Sequence, residues 1–200
     1  MNGIIRPAIV LFLTLTVLTG IVYPFAVTGL AQLLFQDQAQ GSVLMADGHA
    51  VGSRLIGQSF SDPKYFWSRP SATAPQPYNA IASGGSNQGP LNPALTDAVK
   101  SRIEALKAAD PTNPLPIPVD LVTASASGLD PDISIAAARY QAARVARARG
   151  LDLVGVQSLI DEHSHGRLLG IIGEPRVNVL ELNLALEALK PQNAPKPPGA

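Results

Sequence analysis

The chain has 200 residues and a mass of 20.9 kDa, of which 46% are hydrophobic and 15% charged, against a usual charged share of about 25%. Arg6 is its single Lys, Arg, Asp or Glu before Asp37, a pattern that suits lipid and not a soluble surface. Beyond Arg6, the 15 basic residues fall to 14 against 15 acidic ones, which argues against nucleic acid as a partner, and zero cysteines exclude disulfides, thiolate nucleophiles and cysteine-ligated zinc.

From Pro7 to Gln36 there is no formal charge for 30 residues, a helix of about 45 Å against a hydrocarbon thickness of about 30 Å. This predicts a transmembrane anchor over 7–36 behind a cytoplasmic N-terminus of residues 1–6. A cleaved signal peptide would have an apolar stretch of about 7–15 residues and would end near Gly29-Leu30-Ala31. The run here is longer and its start carries only Arg6, which favours an anchor. Arg6 precedes the span, whereas Asp37 and Asp47 follow it and the next basic residue is Arg54. The positive-inside bias then places everything after Asp37 outside the cytoplasm. Pro24 lacks a backbone donor and predicts a kink or break near Tyr23-Pro24. Thr16 and Gly20 form a small pair four residues apart that lets another helix approach, although one such pair is also common in spanning helices.

An outer domain is expected over 37–190. Asp47-Gly48 between apolar stretches reads as a two-residue hairpin turn. Residues 57–93 are crowded with Gly, Pro, Ser and Asn yet hold Phe60, Tyr65, Phe66, Trp67 and Tyr78, so the segment reads as a long ordered loop with a function. Asn92-Pro93 caps a helix expected to run to Ala108. A proline-rich connector follows, with Val119-Asp120-Leu121-Val122 as a short extended piece. A helix from Ser134 to Arg149 ends at Gly150, and another covers Leu153 to His163. Asn178-Val179-Leu180-Glu181 resembles a capping box before a stripe of Val179, Leu182, Leu186 and Leu189. Leu180, Leu182, Leu184 and Leu186 also alternate as a strand would, and the length and the cap favour the helix. The Pro-rich tail 191–200 is expected to be disordered. The fold class expected is α+β: one membrane helix, then one domain with an N-terminal β-hairpin, a long ordered loop and three to four helices.

Catalytic chemistry is hard to find. His49, His163 and His165 are the candidate bases near neutrality, and no G-x-S-x-G, H-E-x-x-H or paired-cysteine frame surrounds them. His163-Ser164-His165 is a weak metal pair without carboxylate support. Gly84, Gly85, Ser86 and Asn87 could form an anion-binding nest, but the P-loop Gly-Lys-Ser/Thr is missing, which favours a tight structural loop. Arg139, Arg144, Arg147 and Arg149 scatter around their helix and read as a solvated face. The residues alone thus leave open a subunit, an anchored hydrolase and an anchored binding module.

Several ordered blocks carry a resemblance. Asn2-Gly3-Ile4-Ile5-Arg6-Pro7-Ala8, Leu55-Ile56-Gly57-Gln58-Ser59-Phe60, Phe66-Trp67-Ser68-Arg69-Pro70-Ser71-Ala72, Ala82-Ser83-Gly84-Gly85-Ser86-Asn87, Asp120-Leu121-Val122-Thr123-Ala124-Ser125 and the run from Gly173 to Leu186 resemble the C subunits of the Kdp potassium-transporting ATPase. Ser68 and Ile135 depart from that pattern, where Gly and Pro are expected. The resemblance implies a non-catalytic subunit of the bacterial inner membrane. Its implied partners are a channel-like potassium-binding chain, a P-type ATPase chain and a very small membrane chain. It also implies a role in assembly and one as a catalytic chaperone that raises the ATPase chain's affinity for ATP, through a ternary complex rather than a cofactor site of its own. An outer domain conflicts with direct contact to cytoplasmic ATP and makes such an effect indirect. Thr16, Gly20 and Pro24 are then the expected face for partner helices, and Tyr65, Phe66, Trp67 and Arg69 the expected docking residues. Because the three aromatics are consecutive, they cannot share one buried face.

Overall fold

The structure, a computed structural model, describes residues 2–189, and the tail expectation for 191–200 lies outside the described residues. The chain divides into two compact units, Met1–Leu44 and Met45–Ala200.

In the first unit α1 (Asn2–Val17), one π-helical turn (Leu18–Val22) and α2 (Tyr23–Leu34) run into one another, giving an apolar helix over Gly3–Leu34 that is long enough to cross a membrane. Pro24 does not break it. The proline sits in the first turn of α2, and the widened turn immediately before it absorbs the missing donor. Thr16 and Thr19 donate their hydroxyls to the carbonyls of Phe12 (2.8 Å) and Leu15 (2.7 Å), so the helix presents satisfied polar groups and aliphatic side chains, the surface that lipid requires. The short α3 (Gln36–Ala39) follows.

The boundary of the second unit falls on a hairpin of β1 (Val43–Ala46) and β2 (His49–Ser53). Its turn residues Asp47 and Gly48 have φ of 49° and 78°, the two left-handed positions of a type I′ turn, as the Asp-Gly pair leads one to expect. The rest of the unit is α+β. Around α4 (Pro93–Ala109), α5 (Ile135–Arg149), α6 (Leu153–Glu162) and α7 (Val179–Ala188) there is a small antiparallel sheet in the order β3-β5-β4, from Asp132–Ser134, Arg176–Asn178 and Ser164–His165. Caps set the helix starts: Asn92 accepts from Ala94 N (3.0 Å), Ser134 from Ala137 N (3.0 Å) and Asn178 from Glu181 N (3.1 Å). Gly150 ends α5 in the left-handed conformation.

Val177 of β5 pairs with Ile133 and Ser164 and is fully buried with Phe66, Val145, Val156, Ile160, Val179, Leu182 and Leu186. Ala137, Ala138, Ala142 and Ala146 give α5 a small-residue buried face, which allows its neighbours to approach closely. Leu180, Leu182 and Leu186 are all buried in α7. Burial on more than one side of the helix accounts for the strand-like alternation of leucines, while the Asn178 cap decides the helix.

The expected extended piece at 119–122 is instead a 3₁₀ turn over Val119–Leu121. Pro118 leads into it and the Thr123 hydroxyl returns to the Val119 carbonyl at 2.8 Å. The turn aims Asp120 at the start of α5, where its carboxylate accepts from Ser134 N (2.8 Å) and Ser134 Oγ (3.1 Å).

Candidate functional site

The expected docking segment is extended and clamped by two buried amides. Asn183 of α7 accepts from Phe66 N through Oδ1 (2.9 Å) and donates to Phe66 O through Nδ2 (3.0 Å). Gln141 of α5 does the same one residue on, accepting from Trp67 N (2.7 Å) and donating to Trp67 O (3.1 Å). Each amide replaces one rung of a β-ladder, which is how a segment with no strand partner keeps its buried backbone paired. Phe66 therefore points into the core and is fully buried. It leaves the docking set for that reason, whereas Tyr65 and Trp67 stay partly exposed, Trp67 while also packing against the core.

Tyr65 and Trp67 are half-buried, and each is covered by an arginine. The Arg149 guanidinium lies 4.8 Å from the centre of the Tyr65 ring, and that of Arg144 lies 4.5 Å from Trp67. The Tyr65 hydroxyl donates to Glu187 (2.6 Å), which also accepts from Arg149 (2.7 Å). These two bonds hold the Glu187 carboxyl down at about 2, Arg149 first, and the bond to Glu187 pushes the Tyr65 phenol up. Trp67 Nε1 donates to the Asp62 carbonyl (3.0 Å).

Arg144 corrects the expectation of a solvated arginine face. It is buried and donates to the carbonyls of Pro63 and Tyr65 and to Gln141 Oε1, and loss of hydration lowers its pKa to about 10. Its neighbours Arg139 and Arg147 are exposed, Arg139 pairing with the exposed Asp161 and Arg147 with the buried Asp110. No local pattern distinguishes Arg144, because the two carbonyls it binds lie about eighty residues earlier in the sequence.

Arg69 leaves the clamp in another direction. It donates to Asp130 (2.9 Å) on the wall of a cleft of about 510 Å³ that Asp120, Asp132, Glu174 and Arg176 also line, and its Nε is buried without a hydrogen-bond partner among the described residues. The acidic groups there are engaged: Asp132 with Arg176 (2.7 Å), Asp120 with Ser134, and Glu174 with Arg167 (2.8 Å). Burial raises the Asp132 carboxyl against the pull of Arg176. Among the described residues no three His, Asp or Glu side chains converge as metal ligands. His49 and His165 are exposed and His163 is half-buried.

In the glycine-rich loop, Gly84 N donates to the Ser127 carbonyl (2.9 Å) and the Ser83 hydroxyl to the same oxygen (3.0 Å). Gly85 lies against Ala126, and Asn87 has a φ of 52°. With the Gly84 amide turned to the protein, the loop is a stitched turn. Thr16 spends its hydroxyl within its own helix, and a side chain at Gly20 would meet nothing within 4 Å.

The fold and site define a class: an α+β domain, stitched by buried amides and arginines, behind one apolar helix of membrane-spanning length. Comparison with known proteins makes the class specific. The protein-family model for the K+-transporting ATPase c chain, KdpC, matches residues 5–188, and the chain belongs to that family. A potassium-transporting ATPase KdpC subunit of Polaromonas naphthalenivorans is 67% identical over 195 residues, covering 98% of this chain and 100% of the relative. That of Variovorax paradoxus is 69% identical over 188 residues, with 94% and 97% covered. That of Herpetosiphon aurantiacus is 60% identical over 190 residues, with 95% and 98% covered. Membership of the family disfavours an anchored hydrolase or an unrelated binding module.

Proposed function

We propose that the chain is the non-catalytic accessory subunit of an ATP-driven potassium importer in the bacterial plasma membrane. It crosses the membrane once with its N-terminus in the cytoplasm, and its α+β unit stands outside. There it stabilises an assembly with a channel-like potassium-binding chain, a P-type ATPase chain and a very small membrane chain. The observation that carries this reading is the family match from residue 5 to residue 188, which takes in the span and the outer unit together. The orientation is supported by Arg6 before the span and by Asp37 and Asp47 after it.

The helix face of Thr16, Gly20 and Pro24 packs on the larger membrane chains, where small residues let backbones approach. Tyr65 and Trp67 offer their exposed edges for docking, with Phe66 fixing the segment from inside, and Arg69 docks separately, from the wall of the cleft it shares with Asp130. With the unit outside, any effect on ATP affinity reaches the ATPase chain through the assembly.

The test is purification of the tagged chain from a mild detergent extract. A potassium-stimulated ATPase that elutes with the tag is the expected result, and Gly20→Leu should loosen the association. Elution of the chain alone, with the potassium-stimulated ATPase recovered elsewhere, would refute the proposal.

A further inference from the structure

Between Arg167 and Glu174 the chain makes a tight turn of Leu168, Leu169, Gly170, Ile171, Ile172 and Gly173, six residues without one polar side-chain atom. Its four aliphatic side chains are between 57% and 84% exposed. Such an apolar tip on an otherwise polar loop marks a contact with something apolar.

Three features indicate what the partner is. The turn pairs its own backbone: Leu168 N donates to Ile172 O (2.9 Å), Gly170 N to Arg167 O (3.1 Å), and Ile171 N and Ile172 N to Leu168 O (3.2 and 3.0 Å). Four of the turn's six backbone donors are thus satisfied within it, and a segment so paired, with only hydrocarbon side chains, strands few polar groups on entering lipid. Charge is neutralised at the base, where Arg167 donates to both carboxylate oxygens of Glu174 (3.0 and 2.8 Å). The third feature is the tether. The apolar helix ends at Leu34 and the hairpin begins at Val43, so with that helix read as a span the short tether makes a weak insertion by the second unit an intramolecular event. The backbone is also set to display the tip, for Leu169 has a φ of 53° ahead of Gly170 at 77°, a conformation that a bulky residue rarely adopts. Aromatic and arginine anchors, the usual centre of a protein–protein contact, are missing from the tip.

We propose that the turn Leu168–Gly173 is a second membrane contact, inserting its aliphatic side chains into the leaflet that faces the domain. This rests on the reading of Gly3–Leu34 as a span and not on membership of the pump. The turn steadies the domain on the bilayer at a point remote in sequence from the anchor.

The natural absence of cysteine makes the test direct. An environment-sensitive thiol label is placed at Leu169→Cys, and separately at Ile171→Cys, in the full chain reconstituted into phosphatidylcholine vesicles that carry nitroxide-labelled acyl chains. Phe12→Cys in the span and Leu91→Cys, at an exposed position of the domain, serve as controls, and emission of the single tryptophan, Trp67, confirms folding of each variant. The expected result is a blue-shifted label at 169 and 171 that loses intensity to the nitroxides as at 12, while the label at 91 does not. Labels at 169 and 171 that behave as at 91 overturn the proposal. So does shielding that appears only when the other pump chains are added, which assigns the tip to a protein groove, or shielding that grows with protein-to-lipid ratio, which assigns it to a second copy. Absence of lipid quenching at 12 would overturn the anchor, and the proposal with it.

Discussion

The segment Pro63–Arg69 and the turn Arg167–Glu174 are both irregular stretches rich in large apolar side chains, and their environments are opposite. In the first, Asn183 and Gln141 pair the backbone, Phe66 is buried, and Arg144 and Arg149 cover the remaining rings. In the second four backbone amides pair within the turn and the aliphatic side chains are exposed. A run of aromatics is therefore a poor guide to a free surface, because large rings contribute most when buried. Whether the partners of a loop's backbone are remote or local separates the two cases better than composition does.

The contrast can be broken at the clamp. Asn183→Leu should have the largest effect, since it strands both Phe66 backbone groups in the core and should cost about 3 kcal/mol of unfolding free energy. Denaturant unfolding followed by Trp67 emission measures it, and a loss below a few tenths of a kcal/mol would mean that the clamp is not what orders the segment. Arg144→Lys keeps the charge but not the planar fork that reaches Pro63, Tyr65 and Gln141. The same assay should read a loss of about 2 kcal/mol.

The hairpin meets α7 at Gly52, where a Cβ would collide with Gln58 Nε2 and lie 2.7 Å from Leu180 Cδ2. Gly52→Ala should cost about 1–2 kcal/mol by overpacking, whereas Gly166→Ala, in open space, should leave stability unchanged. Equal effects of the two substitutions would deny the close packing of β2 on α7.

The smallest expected effect is that of pH. Glu187 titrates at about 2 in the fold against 4.5 ordinarily, so its stabilising contribution is present above about 4.5 and is lost as pH falls through that window towards 2. Its side chain is 52% exposed, and screening limits the contribution to about 0.5–1 kcal/mol. Glu187→Gln should remove that part of the acid dependence, and an unchanged acid limb would assign it to other carboxylates.

The parts legible in the sequence are those with local causes. The long apolar helix follows from an uncharged run, the hairpin from Asp47-Gly48, and the helix ends from Asn92-Pro93, Ser134, Gly150 and the box at Asn178. The β3-β5-β4 sheet was not legible, because strands of two or three residues carry no measurable period. Neither was the clamp, since Asn183 and Phe66 lie 117 residues apart and Gln141 and Trp67 lie 74 apart. The tip could have been found: Leu-Leu-Gly-Ile-Ile between Arg167 and Glu174 is an apolar run too short for a core helix and too uniform for a solvated loop.

The claim on which the account most depends is that the α+β unit works from outside the cytoplasm. The direct measurement labels the full chain carrying Leu91→Cys with a membrane-impermeant maleimide, in intact spheroplasts and after lysis. A unit outside the cytoplasm is labelled fully before lysis, and labelling that appears only after lysis would contradict that placement.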